Sequence, residues 1–177
     1  MQILSEISES LAGVEPSQLE AAAALIRRCG RIFCDGLGRS ALSARGLAMR
    51  LVQLGFKSCM VGDATAPAFG AGDLLLICTA SGTSPALLYH AQSAKELGGT
   101  VLLITANLHS PLAGLAQEVI LIPAPDKDGP QASASVQPMG TLFEQTAQLV
   151  CDMLVLQLMR QTGTAAADMR KRHANIE

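Results

Sequence analysis

Tryptophan is absent from this chain, which has only one tyrosine and four phenylalanines among its 177 residues. The core must therefore be built from Leu, Ala, Val, Ile and Met, small aliphatics that suit helices lying close on a parallel sheet. Basic runs are missing apart from Arg170-Lys171-Arg172, and the net charge is −2, so no general nucleic-acid or anionic-membrane surface is expected. No apolar stretch approaches membrane-spanning length. The opening Met1-Gln2-Ile3-Leu4-Ser5-Glu6 has neither the charged nor the apolar region of a signal peptide. The five cysteines (29, 34, 59, 78 and 151) form no C-x-x-C pair and read as reduced core thiols, the pattern of a cytoplasmic protein. Histidines at 90, 109 and 173 show no metal-ligand spacing, so no metal is expected.

What the chain does have is a run of hydroxyls at a strand-to-helix junction. Thr79-Ala80-Ser81-Gly82-Thr83-Ser84-Pro85 follows the apolar Leu74-Leu75-Leu76-Ile77-Cys78 and precedes Ala86-Leu87-Leu88, which starts a helix. Backbone N–H groups at a helix start lack intrahelical partners and carry the positive end of the dipole, so they attract anions. Ser84 followed by Pro85 is a cap-plus-proline start. With no Lys or Arg in the loop, the natural guest is a phosphate held by amides and hydroxyls. The competing reading is an ordinary Ser/Thr-rich turn that caps a helix and binds nothing.

Hydrophobic periodicity predicts alternating elements throughout. Residues 1–29 read as helical with a break near Gly13, and Leu19, Ala22, Ala23 and Ile26 share one face. Strands are expected at 31–35, 57–61, 74–78, 100–105 and 119–123. Helices are expected from the Gly36-Leu37-Gly38-Arg39-Ser40 turn to Gly55, from Pro85 to Gly98-Gly99, and briefly after Ser110-Pro111. Residues 124–137 read as an irregular loop. A long helix is expected from about Pro138 to Met159, its apolar stripe Leu142, Phe143, Leu149, Val150, Met153 and Leu154, followed by a helical tail from Ala165 to Glu177. Strands separated by helices imply right-handed crossovers and a parallel sheet covered on both faces. The expected fold is an α/β three-layer sandwich with a five-stranded parallel sheet in flavodoxin-like winding. It forms one domain over 1–177, with N-terminal helices at 1–30, a core at 31–123, the loop, and C-terminal helices at 138–177. Ligands of such sheets bind at the carboxyl ends of the strands, where residues 36–40 and 79–84 both fall.

Gly36-x-Gly38 after a strand invites a dinucleotide reading, and Ala41 is an accepted third residue of that fingerprint. The acidic ribose partner is missing where it belongs, since Cys59-Met60-Val61 ends the next strand and Asp63 comes late. The glycines are read instead as letting the backbone approach a small polar ligand.

Taken together, several stretches resemble the sugar-isomerase (SIS) domain family and, within it, the 6-phospho-3-hexuloisomerases. They are Gly36-Leu37-Gly38-Arg39-Ser40, Ala48-Met49-Arg50-Leu51 with Leu54-Gly55, Val61-Gly62-Asp63, residues 79–84, and Gln137-Pro138-Met139-Gly140-Thr141-Leu142-Phe143-Glu144. The tail Arg172-His173-Ala174-Asn175-Ile176-Glu177 completes the set. The resemblance implies conversion of 3-hexulose 6-phosphate to fructose 6-phosphate without a cofactor, the step that follows formaldehyde fixation onto ribulose 5-phosphate. It also implies a homotetramer with sites between subunits. Moving a ketone from C3 to C2 requires a base that passes a proton between carbons, and Glu144 is the candidate. Its bland rival is an acid on the polar side of its helix, facing solvent. Arg39 or Arg50 is the candidate for steadying the enediolate, and Gly38 and Ser40 for the sugar. Thr79, Ser81, Gly82, Thr83 and Ser84 would hold the phosphate, and His173 is expected to reach a neighbouring subunit's site. The chain departs from the family at Gln53, commonly His, at Thr83, commonly Glu, and at Thr79-Ala80, commonly Ser-Gly. Gln53 favours a second reading, a non-catalytic module that senses a phosphosugar, and a third is an isomerase of another sugar phosphate.

Overall fold

Five short apolar runs, each separated from the next by a crossover, pair side by side in the order β2-β1-β3-β4-β5, all parallel. The computed structural model describes residues 2–125 and 135–176. The strands are β1 (Ile32–Gly36), β2 (Ser58–Met60), β3 (Leu74–Cys78), β4 (Thr100–Thr105) and β5 (Glu118–Leu121). β3 sits at the centre, with Leu74 level with Ile32 on one side and Thr100 on the other. Every residue of β3 is buried, as a central parallel strand covered on both faces requires. The helices are α1 (Gln2–Ala12), α2 (Pro16–Arg28), α3 (Gly38–Leu54), α4 (Pro85–Glu96), α5 (Pro111–Leu115), α6 (Thr141–Thr162) and α7 (Ala166–Lys171).

The expected three-layer α/β architecture and its winding are borne out. One core joins Cys34, Leu76, Leu102 and Ile104 of the sheet to α2, α3 and α6, with the predicted face Leu19, Ala22, Ala23 and Ile26 of α2 all buried in it. The other joins Phe33, Leu75, Ile77 and Leu103 to Leu87 and Ala91 of α4 and Leu112 of α5. Cys34, Cys78 and Cys151 are free and buried, and desolvation pushes Cys34 up to about 12 and Cys151 well above a normal thiol. No helix among the described residues is long and apolar enough to cross a membrane.

Three expectations need correction. The long helix begins at Thr141 rather than Pro138, because Met139 takes a left-handed φ of 59° and Gly140 serves as the N-cap. Leu149 is exposed, and the buried stripe runs instead through Thr146, Ala147, Cys151, Val155 and Leu158 alongside Phe143, Val150 and Leu154. The tail helix ends at Lys171, short of the expected Glu177. Of the expected loop, residues 126–134 lie outside the described residues, as does Glu177; residues 135–137 carry no helix or strand and are held by Glu6, which accepts from Ser135 Oγ and Val136 N.

The strands are anchored at their amino ends by a forked ion pair. Arg31 donates to Asp73 through Nε at 3.0 Å and Nη2 at 2.6 Å, and Gly70 N adds a third donor to the same carboxylate at 2.9 Å. Burial pushes the Asp73 carboxyl up, but the Arg31 fork and the Gly70 amide outweigh it, so the net direction is down. A lowered carboxyl contributes stability that is fully present above the unfolded value near pH 4 and lost as pH falls through the folded value below it. Arg31→Ala removes the main cause of that lowering. The variant is therefore expected to be less stable than wild type near neutrality, with the gap in urea midpoint closing as pH falls through the lowered Asp73 range. A gap that stayed constant from pH 7 to pH 2 would contradict this account.

Candidate active site

Three helix N-termini meet at the carboxyl edge of the sheet. α3, α4 and α6 begin around a single cleft of about 350 Å³, lined by Leu37, Gly38, Arg39 and Ser40 of the first start, Thr79, Ala80, Ser81 and Ser84 of the second, and Met139, Gly140, Phe143 and Glu144 of the third. The helices run 17, 12 and 22 residues, so each presents a full dipole and its unpaired first-turn amides. Arg39 adds a formal positive charge. Among the described residues Glu144 is the only acid in the lining. Such an enclosure takes an anion at the helix starts and keeps one carboxylate beside it.

The two Ser-Pro starts behave differently, which corrects a sequence expectation. Ser110 caps α5 with its side chain, accepting from Ala113 N at 3.2 Å. Ser84 holds the same backbone position ahead of α4, but its side chain makes no capping bond, and the residue lines the cleft. The hydroxyl expected to cap α4 thus does not cap it. Ser81 is engaged within the loop, accepting from Thr83 Oγ1 at 3.1 Å. Thr83 itself lies outside the cleft wall.

Gly82 explains why the loop keeps its shape. Its φ of 66° lies in the left-handed region, and a Cβ there would run into the Ser110 side chain. The Gly82 carbonyl accepts from Leu112 N at 3.2 Å, tying the loop to α5. Gly38 also has a positive φ, 57°, with open space where a side chain would go. The sequence reading missed the supports behind the loop. Thr105, fully buried, donates from Oγ1 to Ala80 O at 2.9 Å, and Asn107 donates from Nδ2 to Ser81 O at 3.3 Å. A polar pair ending a strand beside a hydroxyl-rich turn was the available signal.

Glu144 does not simply face solvent. Its side chain keeps 21% of its exposure, and Oε2 lies 2.7 Å from Arg39 Nη1 in an ion pair. Of the two arginines considered, Arg39 is thus the one beside the acid. Arg50 lies eleven residues further along α3, about 16 Å up the axis. It opens on a second cleft of about 220 Å³ with Gln53, Met169, Arg170 and His173. Arg50 Nη1 donates to Gln53 Oε1 at 2.8 Å, and Gln53 is buried. Within one chain, therefore, Gly38, Arg39, Ser40, Thr79, Ser81, Ser84 and Glu144 come together, while Arg50 and His173 form a separate basic group. Beneath the first cleft, burial pushes the Cys78 thiol up to about 12, with Cys34 adding in the same direction and a hydrogen bond to Ser40 opposing, so it is no nucleophile at neutral pH. Among the described residues no three His, Cys, Asp or Glu side chains group as a metal site requires.

Residues 25–149 match the SIS domain family. The chain is 39% identical over 175 residues to a 3-hexulose-6-phosphate isomerase of Mycobacterium gastri, covering 99% of this chain and 88% of the relative. It is 37% identical over 177 residues to a protein of the same name from Bacillus subtilis (strain 168), covering 99% and 96%. A solved structure from Methanococcus jannaschii, reported to infer a function of 3-hexulose-6-phosphate isomerase, superimposes with a TM-score of 0.87 at 27% identity, with 100% of both chains covered.

Proposed function

The chain belongs to the SIS domain family, and on that premise we propose that it converts 3-hexulose 6-phosphate to fructose 6-phosphate. Full-length similarity to two proteins of that activity supports the substrate. The observation that carries the chemistry is the Arg39–Glu144 pair at 2.7 Å, set in a cleft into which three helix N-termini point. The phosphate takes the α4 start, held by amides and by the hydroxyls of Thr79, Ser81 and Ser84, with Thr83 bracing Ser81. Binding energy from that remote ester orients the reacting carbons. Glu144 removes the proton from C2, and the electron pair passes into the C3 carbonyl to give a cis-enediolate. Arg39 steadies the developing oxygen charge. The hydroxyl proton shifts from O2 to O3, the carbonyl re-forms at C2, and Glu144 returns its proton to C3. No electrons leave the substrate, so no cofactor is needed.

The proposal extends to the assembly. Leu42, Met49 and Val52 on α3 and Leu149 and Leu156 on α6 are exposed. The pairs 42/49 and 149/156 repeat at seven residues, the spacing of helix-to-helix seams. Apolar stripes of this kind call for a protein partner, and a second copy of the chain covering them gives a homotetramer with shared sites. Arg50 and His173 then act in a neighbour's cleft, beside its substrate. The reaction consumes the product of formaldehyde addition to ribulose 5-phosphate.

Gln53 favours one other reading, a non-catalytic module that senses a phosphosugar, since an amide does not titrate. A coupled assay with synthetic 3-hexulose 6-phosphate decides between them. Steady release of fructose 6-phosphate is expected. Binding of fructose 6-phosphate by calorimetry with no turnover would select the sensor, and turnover of a different pentose or hexose phosphate would reassign the substrate.

A further inference from the structure

Thr141 has the place of an ordinary first residue of α6, yet its hydroxyl sits between a backbone carbonyl and the cleft's arginine. Oγ1 donates to Pro138 O at 2.7 Å and accepts from Arg39 Nη1 at 3.2 Å. A hydroxyl has one hydrogen, so the bond to Pro138 turns its lone pairs toward the guanidinium. Arg39 Nη1 thus donates one hydrogen to Thr141 while lying 2.7 Å from Glu144 Oε2 as an ion pair. That nitrogen is engaged on both sides, and Nη2 and Nε are the donors turned to an incoming oxyanion. On the acid, Oε2 is engaged and Oε1 is the oxygen left to take a proton.

We infer that Thr141 is a positioning residue of the reaction, one that holds Arg39 on a single oxygen of Glu144 and so fixes which oxygen acts as base. The inference rests on Glu144 as the base. The need for such an anchor follows from exposure. The Arg39 side chain is 55% exposed, and an ion pair that open to solvent is too weak to fix a long, rotamer-rich side chain by itself. The anchor is in turn braced, because Pro138 follows a turn in which Gln137 donates from Nε2 to Glu6 Oε2 at 3.2 Å. A chain of contacts therefore runs from α1 through the turn and Thr141 to the guanidinium.

Thr141→Val keeps the β-branched shape and removes both hydroxyl bonds, while Thr141→Ser keeps the hydroxyl and drops only the methyl. Thr141→Val is expected to lower kcat by about tenfold or more with KM moved by less than about threefold, since the phosphate grip is untouched. Thr141→Ser is expected to stay within about twofold of wild type. Wild-type kcat in Thr141→Val, or equal losses in both variants, would overturn the assignment. A crystal structure of Thr141→Val supplies a second readout that does not depend on turnover. Arg39 Nη1 is expected to leave Oε2, and Nη1 still in its ion pair with Oε2 would refute the positioning role. If the wild type itself shows no turnover, the reading of Glu144 as base falls, and the variant structure alone then decides the anchor.

Discussion

Glu144→Gln is expected to lower turnover of 3-hexulose 6-phosphate by at least a hundredfold while leaving the affinity for fructose 6-phosphate within a few-fold of wild type. The substitution is nearly isosteric. The glutamine amide oxygen keeps an acceptor at the position 2.7 Å from Arg39 Nη1, so the wall of the cleft is expected to keep its shape. What disappears is an atom able to accept and return a proton at carbon. General acid–base catalysis contributes about 10² to 10⁴ in rate, and the loss is expected inside that range or beyond it, because one group serves both transfers. The proposed phosphate grip lies elsewhere, in the α4 start and its hydroxyls. Coupled kinetics and calorimetry on the same preparation separate the two quantities. Activity within tenfold of wild type would remove Glu144 from the chemistry, and a matching collapse of affinity would recast it as a structural contact.

Gly82→Ala is expected to abolish tight phosphosugar binding and to destabilise the fold by about 2–4 kcal/mol, combining left-handed strain with overpacking. At φ 66° the added methyl is strained, and it also meets the Ser110 side chain, which caps α5. Relief requires the loop to move away from α5, which breaks the bond from Leu112 N to the Gly82 carbonyl and displaces Ser81 and Ser84 from the cleft wall. The double variant Gly82→Ala with Ser110→Gly separates the causes. It removes the collision and leaves the backbone strain, so part of the stability and some binding are expected to return. Thermal melts with and without fructose 6-phosphate read both effects. If the single variant bound like wild type, the loop geometry would not be what holds the phosphate.

Local features of the chain carried the fold a long way. The strands at 74–78 and 100–105 were legible because central parallel strands are continuous apolar runs, and their parallel direction followed from the helix between them. The hydroxyl-lined rim was legible because a hydroxyl-rich turn before a helix has the same physics in any context. Errors arose where two segments decide a matter jointly. Ser84 and Ser110 share one local pattern, yet only Ser110 caps with its side chain. The start of α6 moved because Met139 adopts a left-handed turn that no nearby Gly-Pro or Asn-Gly signal announces. Leu149 matched a helical stripe by spacing, but α6 packs on α2 and α3 through a face rotated away from it.

By itself the amino-acid order determined a parallel α/β sandwich, a phosphate-sized turn at its carboxyl rim and the residue types that isomerisation needs. Those properties reside in periods of two and 3.6 residues and in single turns, interactions short enough to read along the chain. Only the folded chain decided that Arg39 rather than Arg50 stands beside Glu144, and that Thr141 anchors it across 102 residues of sequence. Contacts between the starts of α3 and α6 depend on how two helices settle on one face of the sheet, and no local rule carries that distance.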